Sequence, residues 1–90
     1  MTITLERAAT RSRLTSLGVE SWPIQSHGEG EFVKEYKNSE ACWLSQGEVT
    51  VIPMEGDSVT ARAGDLLTVP AGAECIWEVH SPTRKHYRRL

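Results

Sequence analysis

Gly64-Asp65-Leu66-Leu67-Thr68-Val69-Pro70-Ala71-Gly72 decides how this chain reads. Gly64-Asp65 turns, because glycine takes a positive φ without steric penalty. Leu66 to Val69 is a short apolar strand, and Pro70-Ala71-Gly72 stops it. Upstream, six residues separate Glu40 from Gly47. Glu40 to Gln46 and Glu48 to Met54 flank that glycine and read as the two arms of a hairpin.

The flanking sequence continues in the same style. Glu31 to Tyr36 alternates, with Phe32, Lys34 and Tyr36 on one side and Val33 and Glu35 on the other. Lys37-Asn38-Ser39 is a turn. Glu55-Gly56-Asp57 turns into a strand from Ser58 to Arg62. Glu74 to His80 and Arg84 to Tyr87 read as two more strands, parted by a turn at Pro82. Val19 to Gln25 is a strand interrupted by Pro23, which places it at an edge or a bend. The first residues, Met1 to Glu6, also alternate like a strand. The helical signal is confined to one place: Thr10 caps a short helix through Leu17, with Leu14 and Leu17 on one face and Gly18 as its stop. Many short strands with glycine-marked turns predict an all-β barrel or sandwich with one short N-terminal helix.

Ninety residues make one domain, spanning 1–90. A chain this short buries only roughly 60–65% of its unfolded surface, so closure into a barrel and a homodimer are both expected. Trp22 and Trp43 are read as outward-facing apolar surface for that dimer. The formal net charge of −2 argues against a nucleic-acid partner. Arg84, Lys85, Arg88 and Arg89, beside His86, are the basic exception. They read as a solvated basic strand, paired with the acidic stretch Glu29-Gly30-Glu31. No apolar run is long enough for a membrane span and no signal-peptide pattern is present, so a cytoplasmic protein with reduced Cys42 and Cys75 is expected. The chain also lacks a Gly-x-Ser-x-Gly elbow, a phosphate-binding glycine loop, a Cys-x-x-Cys pair and a dinucleotide fingerprint. His27, in a glycine-flanked loop, reads as exposed, and His80 as the start of the turn before Pro82.

Taken together, these stretches resemble the two halves of the cupin motif. The similarity runs from about Leu17 to the end of the chain. It is carried by Leu17-Gly18-Val19, Trp22-Pro23-Ile24, Glu40-Ala41-Cys42-Trp43-Leu44, Gly47-Glu48-Val49, the Gly64–Gly72 stretch, Cys75-Ile76-Trp77-Glu78-Val79 and Arg84-Lys85-His86-Tyr87. These look like the very short, single-domain branch related to ureidoglycine aminohydrolase. The resemblance implies an RmlC-like jelly-roll β-barrel, frequently dimeric. In the wider family two histidines and a glutamate from the first half, and a third histidine from the second, hold a metal ion. Here the glutamate position is Glu40, while the histidine positions fall on Lys34, Tyr36 and Cys75. The resemblance therefore does not bring hydrolysis of ureidoglycine with it.

With Glu40 facing inward, alternation places Cys42 and Leu44 beside it and Trp77 and Val79 on the face of Cys75. The expected interior set is Lys34, Tyr36, Glu40, Cys42, Cys75 and Trp77. Lys34 is an ammonium and a poor ligand, protonated Tyr36 is a weak one, and neither metal nor cofactor is expected. Lys34 instead pairs with Glu40. The leading function is a metal-independent barrel binding a small polar ligand through Lys34, Tyr36, Glu40, Cys75 and Trp77. One alternative is an enzyme acting through Glu40 with Lys34, Tyr36 or Cys75. The other is a barrel filled by its own side chains, serving a structural or interaction role.

Overall fold

Two strands far longer than the rest run antiparallel through the computed structural model, which describes residues 2–90. In chain order the elements are β1 (Thr4–Glu6), α1 (Arg11–Leu17), a 3-10 turn (Val19–Ser21), β2 (Ile24–His27), β3 (Gly30–Glu35), β4 (Glu40–Pro53), β5 (Val59–Arg62), β6 (Leu66–Val69) and β7 (Glu74–Arg89). The sequence reading of an initial strand begins at Met1, which lies outside the described residues. The mostly β architecture, with one short α-helix among the described residues, is as expected.

Gly47 is not a hairpin turn. Glu40–Pro53 is one strand, paired with β7 from Glu40↔Arg89 to Pro53↔Cys75. The ladder shifts register between Leu44 and Val49, around Gly47. Gly47 sits at φ +95, and a Cβ there would collide with Thr83 Oγ1 and come within 2.6 Å of the Pro82 carbonyl. The hairpin expected at Gly47 is therefore corrected: the glycine marks a β-bulge that bends the ribbon instead of reversing the chain. Pro82 is likewise no strand break. It lies opposite the bulge, where it has no ladder partner on β4, so its missing N–H costs nothing.

The bend divides the long ribbon into two half-sheets. On one side the order is β1-β6-β4-β7-β2, built on Glu40–Trp43 and Thr83–Arg89. On the other, β5 and β3 flank the remaining halves of β4 and β7. The halves face each other, and the bulge makes this possible by switching parity. Inward residues are Glu40, Cys42 and Leu44 before it, and Val49 and Val51 after it. β7 keeps one parity throughout, burying Cys75, Trp77, Val79, Thr83 and Lys85.

The outer face of the first half-sheet is covered by the N-terminal segment. Thr10 Oγ1 accepts from the Arg13 amide at 3.2 Å and caps α1, and Gly18 closes it at φ 70. Leu14 and Leu17 then pack with Val19, Trp22, Ala41, Leu66 and Trp43 into a second apolar cluster. Trp22 is buried and Trp43 half-buried within this one chain, so they are not the free dimer surface expected from sequence. Asp65, buried in the Gly64 turn, anchors the segment by accepting from the amide of Ala8 (2.9 Å) and steadies its own turn by accepting from that of Arg62 (3.0 Å).

Gly47→Ala is expected to cost at least about 2 kcal/mol, combining a strained positive φ with a backbone clash. Chemical denaturation should show a lowered midpoint. Wild-type stability in that variant would remove the bulge from its role as the bend.

Candidate functional site

A cleft of about 520 Å³ opens at one end of the barrel. Lys34, Tyr36 and Glu40 line it, with Gln25, Tyr87 and Arg89 among their neighbours. Lys34 leaves the end of β3 and Glu40 begins β4, so the short Lys37-Asn38-Ser39 connection brings them together across the two half-sheets. Lys34 Nζ donates to Glu40 Oε2 at 2.7 Å. The carboxylate is almost enclosed while the ammonium is 28% exposed, so the pair is open to the cleft on its lysine side. Such a charge-assisted bond is stronger than a surface pair, because little water screens it.

Tyr36 is buried, with Lys34 Nζ 5.0 Å from the centre of its ring. Its hydroxyl accepts from the Trp77 indole N–H at 2.9 Å. Burial drives the phenol pKa well above its ordinary value, so the group stays neutral. Trp77 and Cys75 are fully buried and are not part of the cleft lining; they sit within the barrel core. Trp77 stacks with Phe32 at 5.8 Å, and Phe32 with His27 at 4.8 Å. His27 is therefore not a free loop histidine. Its ring is half-buried, and burial together with Lys85 and Lys34 lowers its pKa.

The sequence reading missed Lys85. It was placed with the solvated basic residues, yet it is fully buried, with Nζ 4.1 Å above the centre of the Trp77 ring. Among the described residues Nζ has no hydrogen-bond partner. Burial is the main cause holding its pKa below the lysine norm; Cys42 and Glu40 act against that shift and Lys34 with it. The signal was available: alternation carried unbroken through Pro82 puts Lys85 on the face of Cys75 and Trp77. The turn read at Pro82 hid it. Arg84, Arg88 and Arg89 form no ion pair with Glu29 or Glu31 among the described residues. His80 bonds Thr50 Oγ1 at 2.7 Å on a continuous strand, and His86 Nδ1 lies 3.1 Å from the Val19 carbonyl.

The donor set does not suit the divalent metal of the wider cupin motif. Glu40 is engaged by an ammonium. The Cys42 thiol is pushed up to about 11 by burial, and burial likewise raises the Cys75 thiol, so neither offers a thiolate near neutral pH. Among the described residues, no three His, Cys, Asp or Glu side chains gather to hold an ion.

A family model described as the EutQ-like cupin domain matches residues 14–87. A DUF861 family protein from Thermotoga maritima is 36% identical, with a TM-score of 0.93 over 99% of this chain and 100% of that one. The EutQ protein of Clostridium difficile superposes at TM-score 0.66 with 21% identity, over 94% of this chain and 64% of its own. A DUF1255 protein of unknown function from Acidithiobacillus ferrooxidans does so at 0.66 and 19%, over 70% and 60%. The last two likenesses speak to fold alone. No curated protein sequence matches.

Lys85→Met should stabilise the protein, by roughly 1–4 kcal/mol where the buried ammonium is charged. The sign follows from the lowered folded-state pKa. Below that value both states are protonated and the folded state bears the full burial cost. As pH rises towards 10.5, the unfolded-state value, only the unfolded chain keeps the proton and wild-type stability recovers. The gain in melting temperature should thus be largest near pH 6 and shrink towards pH 10. A gain independent of pH would show that Lys85 carries no burial penalty.

Proposed function

The chain belongs to the EutQ-like cupin family, and from that premise we propose that this small cupin barrel of unassigned activity is a metal-independent binding module for a small polar ligand. The Lys34–Glu40 ion pair carries the reading. It lies at the positions where the wider motif places a histidine and the glutamate, and its ammonium supplies a positive charge beside the carboxylate without a metal. The barrel core is filled by Trp77, Tyr36 and Leu44, but the cleft above it is open. That space favours a ligand-binding barrel over a wholly filled one.

The finer kinship with ureidoglycine aminohydrolase rests on the motifs alone, and the donor chemistry gives no support to its metal-dependent hydrolysis. Cytoplasmic residence is supported by two free, buried cysteines, as in a reducing compartment. A homodimer now has a different footing. Val33, Ile76 and Ile52 are neighbours across β3, β7 and β4, and Val33 is 61% exposed. This apolar row on the outer face is the surface on which a second copy would pack.

Three measurements test these readings. Protein incubated with zinc or manganese and then dialysed should retain far less than one equivalent by elemental analysis. One retained equivalent that disappears in Glu40→Gln would overturn the metal-independent reading. In a fragment screen by NMR, the amides of Lys34, Tyr36, Glu40 and Tyr87 should move first, and hits that avoid them would count against the cleft. For the dimer, light scattering should give twice the chain mass for the wild type and the single mass for Val33→Glu. A monomeric wild type at high micromolar concentration would end that proposal.

A further inference from the structure

We propose that Lys85 and Lys34 together hold the carboxylate group of a small monocarboxylate ligand. The inference rests on the binding reading above and names the chemical class of its ligand. Lys85 offers three N–H donors, and among the described residues none has an acceptor. Its Nζ is wholly enclosed and lies 4.1 Å above the π-face of Trp77. A buried ammonium left in that condition is costly, and an anion brought to it removes the cost.

The surroundings leave that place to an external anion. Glu40, on β4, is committed to Lys34 on β3. Cys42, also on β4, is kept protonated by burial, as is Tyr36 between β3 and β4. His27, on β2, is held towards its neutral form by burial and by the two lysines themselves. Two ammonium groups thus face one carboxylate inside the barrel, and a single monoanion brings the enclosed charge to zero. A phosphate dianion would overshoot it and demand more donors than this floor presents.

The route is the cleft. Gln25, the register partner of Lys85 on β2, lines it, and so does Tyr87, two residues on along the same face of β7. Lys85 itself does not line the cleft, but these two neighbours do, and its flexible four-carbon stem is the part that would carry Nζ towards it. Lys34, Lys37 and Arg89 outnumber Glu35 and Glu40 in the lining. On a chain whose net charge is −2, this cleft is a local positive site that attracts anions.

The Trp77 indole N–H is the built-in reporter, since its ring bears Lys85 and its proton bonds Tyr36. Full-length protein is titrated, at constant ionic strength, with a set of small monocarboxylates, their uncharged amides and amines of matching size. The carboxylates alone should shift the Trp77 indole and Lys34 signals saturably. Lys85→Met, which should stay folded, should weaken that binding roughly thirtyfold or more. Saturable shifts from amides or amines alone, or undiminished carboxylate binding in Lys85→Met, would overturn the carboxylate assignment while leaving the cleft reading in place. No saturable shift from any of the three sets would overturn both.

Discussion

The bulge at Gly47 is the constraint on which the rest of the structure depends. A regular β4–β7 ribbon would keep one set of side chains on one face from end to end. Between the Leu44–Lys85 and Val49–Val79 pairs β4 advances five residues and β7 six, with the single residue Gly47 standing opposite Pro82 and Thr83, so the parity of β4 switches while that of β7 is kept. Glu40, Cys42 and Leu44 then point into the same space as Val49 and Val51. Without that switch, one half of β4 would turn its apolar side chains to solvent. The glycine is needed for two separate reasons, a positive φ and the absence of room for a Cβ.

The bend also creates the chemistry of the interior. It sets Lys34 of one half-sheet against Glu40 of the other, and Lys85 of one against Trp77 of the other. These contacts are of unequal quality. Lys34 and Glu40 satisfy each other and reach the cleft. Lys85 is desolvated and rests on a ring face, a weaker partner than a carboxylate. A small protein has little stability to spare. An ammonium held in this way is readily explained by binding and poorly explained by folding.

The N-terminal segment shows how a short chain uses its limited core. The outer face of β4 carries Ala41 and Trp43, which would be exposed on the bare barrel. A seven-residue helix and a 3-10 turn cover them, and Asp65 fastens the preceding chain through the amide of Ala8. The barrel thus has one apolar core inside the sheet and a smaller one outside it.

The sequence by itself determined the all-β class, the capped helix from Thr10, the turn at Gly64-Asp65 and the inward set from Lys34 to Glu40. Each of these follows from local rules: φ preference, capping, or the period-two geometry of a strand. Tertiary structure alone decided that Gly47 is a bulge, since hairpin and bulge both call for a flexible residue and differ only in what lies across the sheet. Tertiary structure likewise decided that Trp22 and Trp43 are covered: the helix over Trp43 comes from a distant part of the chain, and Trp22, just after that helix, packs with Ala41 of β4 and Leu66 of β6. Lys85 lay between the two cases. Its parity was written in the sequence, but its burial depends on two half-sheets closing over it, and no local pattern encodes that closure.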